Sequence, residues 1–192
     1  MKPGLLLDRD GVINEEVEYL HDPRDLVMIP GVAEAIAVMN RQGIPVVVIT
    51  NQAGIGRGMY AFEAYQRVSE AIAGALAASH AHIDAWYFCP HPPEARCECR
   101  KPRPGMLLAA ARELRLSLVD SVFVGDKTSD LEAARAAGCR SVLVRTGYGR
   151  DEELRLARQG RGELVDHAAD SLREAVPWLL QVLTPIAEQA SR

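Results

Sequence analysis

Aromatic residues make up only 5% of this 192-residue chain, and its 22 Lys and Arg are outnumbered by 26 Asp and Glu, for a formal net charge of −4. A sequence short of both stacking platforms and a basic footprint is not built to wrap nucleic acid, so any basic residue of functional weight must act locally. Long apolar runs are also missing. The N-terminus, MKPGLLLDRDG, reaches charged residues after three leucines, which reads as neither a signal peptide nor a membrane span. No repeat, low-complexity tract or linker breaks the chain. The expectation is therefore one compact domain spanning 1–192, monomeric and cytoplasmic, with no nucleic-acid or membrane partner. Cysteine is scarce too, with four in all. In a reducing compartment clustered cysteines are metal ligands or catalytic groups before they are disulfides.

What is present is a rhythm of short apolar runs. GLLLD, IPVVVITN, DAWYFC, SVFVGD and RSVLVRT are each too short for a helix and rich in residues suited to buried strands. Helical patterns separate them: GVAEAIAVMNRQG, AFEAYQRVSEAIAGALAASH, PGMLLAAARELRL and SDLEAARAAG. Gly43 and Gly138 stand where C-terminal caps belong, and Thr128 or Ser129 where an N-cap belongs. The segment LVDHAADSLREAVPWLLQVL adds an expected edge strand and a last helix, with Pro177 limiting that helix's first part. The alternation predicts an α/β fold, a doubly wound parallel sheet of Rossmann-like type, with no interval free for a separate cap domain.

Each strand delivers a polar residue at its end. Asp8 follows LLL, Thr50 and Asn51 close VVVITN, Cys89 closes WYFC, and Asp126 and Lys127 follow VFVG. In an open parallel sheet these positions converge on the crevice outside the carboxyl ends of the strands. Polar residues commonly mark where strands stop, which accounts for any one of these but poorly for two separate Asp sites, a Thr and a Lys together. Asp8 and Asp10 lie two apart, so an extended segment points both carboxylates the same way. Such a pair binds a hard cation or retains a proton. Asp8 could ligate Mg²⁺ and act as nucleophile, and a protonated Asp10 could donate to a leaving oxygen, with Asp126 as a further carboxylate for the cation.

The stretch FCPHPPEARCECRKP holds Cys89, His91, Cys97 and Cys99 within eleven residues. A Cys₃His set is complete for tetrahedral Zn²⁺ with no open position and so reads as structural zinc. A surface His beside buried thiols, or a disulfide, is the plainer alternative, but Cys97 and Cys99 are poorly placed to pair with each other. Cys139 stands alone and reads as core.

The set DRDGV, ITN, RKP and GDKTSD, in this order and at these strand ends, resembles the haloacid dehalogenase superfamily of Mg²⁺-dependent phosphohydrolases over nearly the whole chain. The resemblance implies that Asp8 forms an aspartyl phosphate, that Asp10 is the acid and then the base, and that Thr50 binds the phosphoryl oxygens while Lys101 neutralises them. It also implies a Mg²⁺ site of Asp8, Asp126 and the backbone carbonyl of Asp10, with Asp130 behind it. The zinc loop followed by Arg-Lys-Pro resembles a subgroup shared by heptose bisphosphate phosphatases and histidinol-phosphate phosphatases. TNQAGIGRG, CRKPRPGM, GDKTSD and INEEVEYLHD favour the former. By that resemblance Glu16, Val17, Glu18 and Tyr19, with Asn51, Gln52 and Ala53, line a phosphorylated sugar, and Arg100 holds the sugar's second phosphate. Lys127 reaches either a phosphate or nearby carboxylates. Two other classes fit less well. GIGRGM lacks the third glycine of a dinucleotide loop, Met59 standing there, and reads as a flexible loop of Gly54, Gly56 and Gly58 near the site. A phospho-accepting receiver domain would need neither Asp10 nor the cysteines, and the reading from another class is a zinc-containing phosphate-binding regulatory module without turnover.

Overall fold

The computed structural model describes residues 1–184, so the last part of the expected 1–192 domain, residues 185–192, lies outside the described residues. In chain order the elements are β1 (Leu5–Leu7), α1 (Val32–Arg41), β2 (Val46–Asn51), α2 (Ala53–Gly56), α3 (Phe62–Ala77) and β3 (Ala85–Cys89). There follow α4 (Gly105–Leu114), β4 (Val122–Gly125), α5 (Thr128–Ala137), β5 (Arg140–Val144), α6 (Gly149–Arg158), β6 (His167–Ala169) and α7 (Leu172–Leu183). The strands form one six-stranded sheet in the order β3-β2-β1-β4-β5-β6. Every pairing is parallel.

The sheet is buried on both faces, which is why its strands read as near-continuous apolar runs. Alternation still sorts them. Leu5 and Leu7, Val46 and Val48, and Val122 and Val124 face the core beneath α1, α3 and α7. Leu6, Val47, Ile49 and Phe123 face the opposite core with Met106, Leu107 and Ala110 of α4 and Ala133 and Ala134 of α5. Cys139 belongs to that second core, as expected. The helices on each face make this the doubly wound architecture, and no insertion of domain size separates the strands among the described residues. From β1 the chain winds outward through β2 and β3, then returns to lay β4 on the other side of β1. The crevice between the ends of β1 and β4 is the switch point where such sheets bind ligands.

Four local readings change. The N-cap of α5 is Lys127, not Thr128 or Ser129, and its backbone N–H donates to the Asp130 carboxylate at 3.0 Å. Pro177 does not limit α7, which runs through it from Leu172 to Leu183. Pro177 is the sixth residue of α7, so it forfeits one i→i−4 hydrogen bond without ending the helix. The glycines of GIGRGM are not a loose loop: Gly54 and Gly56 form the single turn α2, Gly56 donates to the Pro90 carbonyl at 2.9 Å, and a Cβ there would meet that oxygen at 2.5 Å. Helix α6 has no counterpart in the apolar pattern, because Leu156 is its one large buried side chain.

Candidate active site

Three carboxylates meet at the switch point. Asp8 follows β1, Asp126 follows β4, and Asp130 sits one turn into α5, with oxygens of all three within 4.8 Å of one another. All are buried. Lys101 is buried among them, its ammonium 2.9 Å from Asp8 Oδ1, 2.7 Å from Asp130 Oδ1 and 2.8 Å from the Ile49 carbonyl. Burial, followed by the nearness of Asp130 and Asp10, pushes the Asp8 carboxyl up to about 6 despite Lys101. Burial, then Asp130 and Asp8, pushes Asp126 up to about 8. For Lys101 burial favours the neutral amine, but Asp130 and Asp8 outweigh it and hold the proton more tightly than usual.

Asp126 has the most exacting surroundings. Its Oδ2 accepts the Tyr148 N–H at 2.9 Å, while its Oδ1 is buried with no hydrogen-bond partner. Gly11 and Gly147, both at positive φ, press against it so closely that a Cβ on either would lie 2.1 or 2.2 Å from Asp126 Oδ2. An orphaned carboxylate oxygen facing two further carboxylates is what a hard divalent cation requires, and Mg²⁺ fits this donor set. Asp130 differs in having a cation beside it: the Lys101 ammonium lies 2.7 Å from Oδ1, and the Lys127 N–H donates to Oδ2 at 3.0 Å.

Asp10 lies outside this cluster but lines the same cavity as Asp8. Arg9, almost fully buried, grips the Asp10 carboxylate from the side: Nε and Nη2 lie 3.0 and 2.9 Å from Oδ1, and Nη2 is 2.9 Å from Oδ2. Asn14 Nδ2 adds a bond to Oδ1 at 3.0 Å, and Gln52 Nε2 one to Oδ2 at 3.1 Å. The expectation that the two Asp side chains share one strand face fails locally, because β1 ends at Leu7 and the chain turns at once. Sequence reasoning missed Arg9, although an arginine caught between two aspartates, at the end of a buried strand, is itself a signal.

The crevice has a volume of about 330 Å³ and takes in Asp8, Asp10, Thr50, Asn51, Gln52, Ala53, Arg100, Lys101, Lys127 and the run Glu16 to Tyr19. The structure thus brings the expected substrate-binding residues to one cavity. Tyr19 holds a left-handed backbone (φ 57°), with its carbonyl 2.7 Å from His21 Nδ1 and its hydroxyl bonded by Arg57. Arg57, Tyr60 and Tyr148 also line the cavity and carried no signal in the sequence. The Lys127 ammonium sits 2.6 Å from Glu16 Oε2, and both residues line the cavity. Asn51 ties the lysine's own backbone in place, accepting from the Lys101 N–H at 3.1 Å and donating to its carbonyl at 3.2 Å.

The Cys₃His set converges as expected. Cys89 Sγ lies 3.5 Å from Cys97 Sγ and 3.3 Å from Cys99 Sγ, those two are 3.3 Å apart, and His91 Nδ1 is 3.6 and 3.3 Å from Cys89 and Cys99. A disulfide needs a separation of about 2 Å, whereas edges of this length belong to a tetrahedron with metal bonds of roughly 2.0–2.3 Å. The four donors fit zinc. The start of the loop is tied by the Gly56 N–H donating to the Pro90 carbonyl at 2.9 Å and by Arg100 Nη1 donating to the His91 carbonyl at 3.2 Å.

Comparison with known proteins agrees with this geometry. The family model described as HAD-hydrolase-like matches residues 98–175. The D-glycero-beta-D-manno-heptose-1,7-bisphosphate 7-phosphatase of Vibrio cholerae is 40% identical over 189 residues, covering 94% of this chain and 98% of its own. The D-glycero-D-manno-heptose-1,7-bisphosphate 7-phosphatase of Thermosynechococcus vestitus is also 40% identical, covering 96% and 98%. Among solved structures, the D,D-heptose 1,7-bisphosphate phosphatase of B. bronchiseptica, complexed with magnesium and phosphate, superposes with a TM-score of 0.86 at 37% identity over 94% of this chain and 99% of that one.

Proposed function

The chain belongs to the D-glycero-D-manno-heptose-1,7-bisphosphate 7-phosphatase family of haloacid-dehalogenase-like hydrolases, and on that premise we propose that it removes the 7-phosphate of this bisphosphate and releases heptose 1-phosphate. The reaction serves nucleotide-activated heptose and lipopolysaccharide biosynthesis. The observation that carries the reading is the single cavity, with the carboxylates and Lys101 at its floor and Arg100 on its wall.

In the first step an Asp8 carboxylate oxygen attacks the phosphorus of the 7-phosphate. The bond from phosphorus to the C7 oxygen breaks, and Asp10 delivers its proton to that oxygen. Asp8 then carries an aspartyl phosphate. Asp10, now a carboxylate, takes a proton from a water molecule, whose oxygen attacks the same phosphorus, frees inorganic phosphate and regenerates Asp8. Thr50 donates its hydroxyl proton to a phosphoryl oxygen. Lys101 contributes charge, its ammonium donating to the Ile49 carbonyl and lying 2.9 Å from Asp8 and 2.7 Å from Asp130. Mg²⁺, held by Asp8, Asp126 and the Asp10 carbonyl, offsets the charge of the transferring phosphoryl group. Zn²⁺ on Cys89, His91, Cys97 and Cys99 is structural and fixes the segment that ends in Arg100 and Lys101. Arg100 binds the 1-phosphate, and Glu16 to Tyr19 with Asn51 and Ala53 border the sugar.

No helix among the described residues is long and apolar enough to cross a membrane. We infer a cytoplasmic monomer whose whole chain, zinc loop 89–99 included, is one phosphatase domain. The test is phosphate release from the heptose bisphosphate beside histidinol phosphate, each with and without Mg²⁺. The bisphosphate turns over faster and only with Mg²⁺. Faster release from histidinol phosphate would reassign the substrate, and no turnover of either would make the chain a phosphate-binding module.

A further inference from the structure

Both amide hydrogens of Gln52 and one lone pair of its Oε1 are committed within the protein. One amide hydrogen of its Nε2 points to Asp10 Oδ2 at 3.1 Å, the other to Thr50 Oγ1 at 3.0 Å, and its Oε1 accepts the Tyr60 hydroxyl at 2.8 Å. Its side chain is buried, although it sits at the cavity. The orientation of the amide follows from its partners. Turning it over would set Oε1 against the Asp10 carboxylate, two acceptors face to face, and would leave the Tyr60 hydroxyl without its acceptor. Tyr60 in turn is held from outside by the parallel ring of His21, whose centroid is 5.5 Å away.

We propose that Gln52 is a positioning residue rather than a substrate ligand, aiming the Asp10 carboxyl at the leaving oxygen and the Thr50 hydroxyl at the phosphoryl group, with Tyr60 setting its amide. Two consequences follow from the bonding. Arg9 holds both Asp10 oxygens and Asn14 holds Oδ1; Gln52 adds the second donor to Oδ2, and of these donors it is the one that also bonds Thr50. Thr50 Oγ1, having accepted from Gln52, keeps its single proton free to donate into the cavity. One side chain thus sets the acid and a phosphate donor at once. General acid catalysis depends on placing the proton within hydrogen-bond reach of the leaving oxygen, and loss of aim costs as a loss of rate rather than of binding.

The proposal rests on the acid role given to Asp10, and the experiment separates the two. Gln52→Met keeps length and volume and removes the amide. Tyr60→Phe keeps the ring and removes only the hydroxyl that orients the amide. For each, kcat/KM is measured on a sugar phosphate, whose alkoxide leaving group needs a proton, and on 4-nitrophenyl phosphate, whose leaving group does not. Inorganic phosphate is titrated as a competitive inhibitor. Gln52→Met lowers the value on the sugar phosphate by about 10–100-fold, a part of the ~10²–10⁴-fold of general acid catalysis, and on the aryl ester by a few-fold through Thr50, with phosphate inhibition nearly unchanged. Tyr60→Phe shows the same discrimination at smaller size. In an Asp10→Asn background Gln52→Met costs the sugar phosphate no more than it costs the aryl ester, because the residue it acts through is gone. Equal losses on both esters in the Asp10 background of the natural chain, or a large loss of phosphate affinity, would overturn the proposal. If Asp10→Asn alone fails to discriminate between the esters, it is the acid assignment that falls.

Discussion

At the scale of single residues, the site is a set of buried charges whose stability and chemistry oppose each other. Asp126 is fully buried, one oxygen has no partner, and Asp8 and Asp130 stand beside it. Such a group is costly in a metal-free fold and useful only when a cation arrives. Asp126→Asn therefore abolishes turnover and yet raises the melting temperature of the protein in a chelator, by an amount on the order of 1–2 kcal/mol, or a few degrees for a chain of this size. The same substitution removes the stabilisation that Mg²⁺ gives the natural chain, which thermal melts with and without Mg²⁺ measure. A lower melting temperature in chelator would show that the three carboxylates are already well compensated without metal. Asp8→Asn also stops turnover, but it removes a negative charge that compensates the buried Lys101 ammonium, so its melting temperature falls instead. Asp8, Thr50, Lys101 and Asp126 were legible because strand ends converge at a switch point. The relay from Tyr60 through Gln52 to Asp10 was not, since side-chain pairing across 8 and 42 positions leaves no trace in periodicity.

At the scale of elements, the apolar runs told the sheet because its strands are covered on both faces, and α1, α3, α4 and α5 because each buries a stripe of apolar residues. Helix α6 escaped because it packs through Leu156 against Leu131, Leu143 and Leu164 while the rest of its surface is polar. The turn α2 escaped because glycines were read as freedom, where Gly56 is instead required by the approach of Pro90. That contact ties the zinc loop to the cavity wall. The loop has prolines at 90, 92, 93, 102 and 104 and little apolar cover, so the thiolate clamp has to hold its shape. Cys97→Ser, or stripping zinc, therefore lowers activity by up to about 10²-fold and raises amide exchange over residues 89–104, while exchange in β1 and β4 and binding of Mg²⁺ persist. Gly56→Ala pushes the same loop from the other side and loosens it with zinc still bound, at a cost of about 1–3 kcal/mol. Full activity in protein shown by metal analysis to lack zinc would remove the structural role from the four ligands.

At the scale of the molecule, a sheet with no domain-sized insertion has to choose its substrate with loops alone. The run Glu16 to Tyr19 after β1, the turn α2 after β2, and Arg100 and Lys101 just past the zinc loop all line one cavity, and Lys127 of the β4 end closes against Glu16. A substrate with a phosphate at each end suits such a cavity, because the floor can take one phosphoryl group while a cation on the wall fixes the other. Arg100 is the wall cation with a held geometry: one guanidinium nitrogen donates to the carbonyl of His91, a zinc ligand, and the remaining N–H groups are free to meet a phosphate in a paired contact. A lysine would match its charge but not that fork. Arg100→Ala accordingly lowers kcat/KM on a sugar bisphosphate by about 10–100-fold, the range for losing hydrogen bonds of 1.5–3 kcal/mol to a charged group, and leaves 4-nitrophenyl phosphate within about twofold. Arg100→Lys recovers only part of the bisphosphate rate. The comparison is decisive because the two esters share the floor and differ at the wall. Equal losses on both would place Arg100 at the transferring phosphoryl group, and the second phosphate would then have to be met by Arg57, a further cation lining the same cavity.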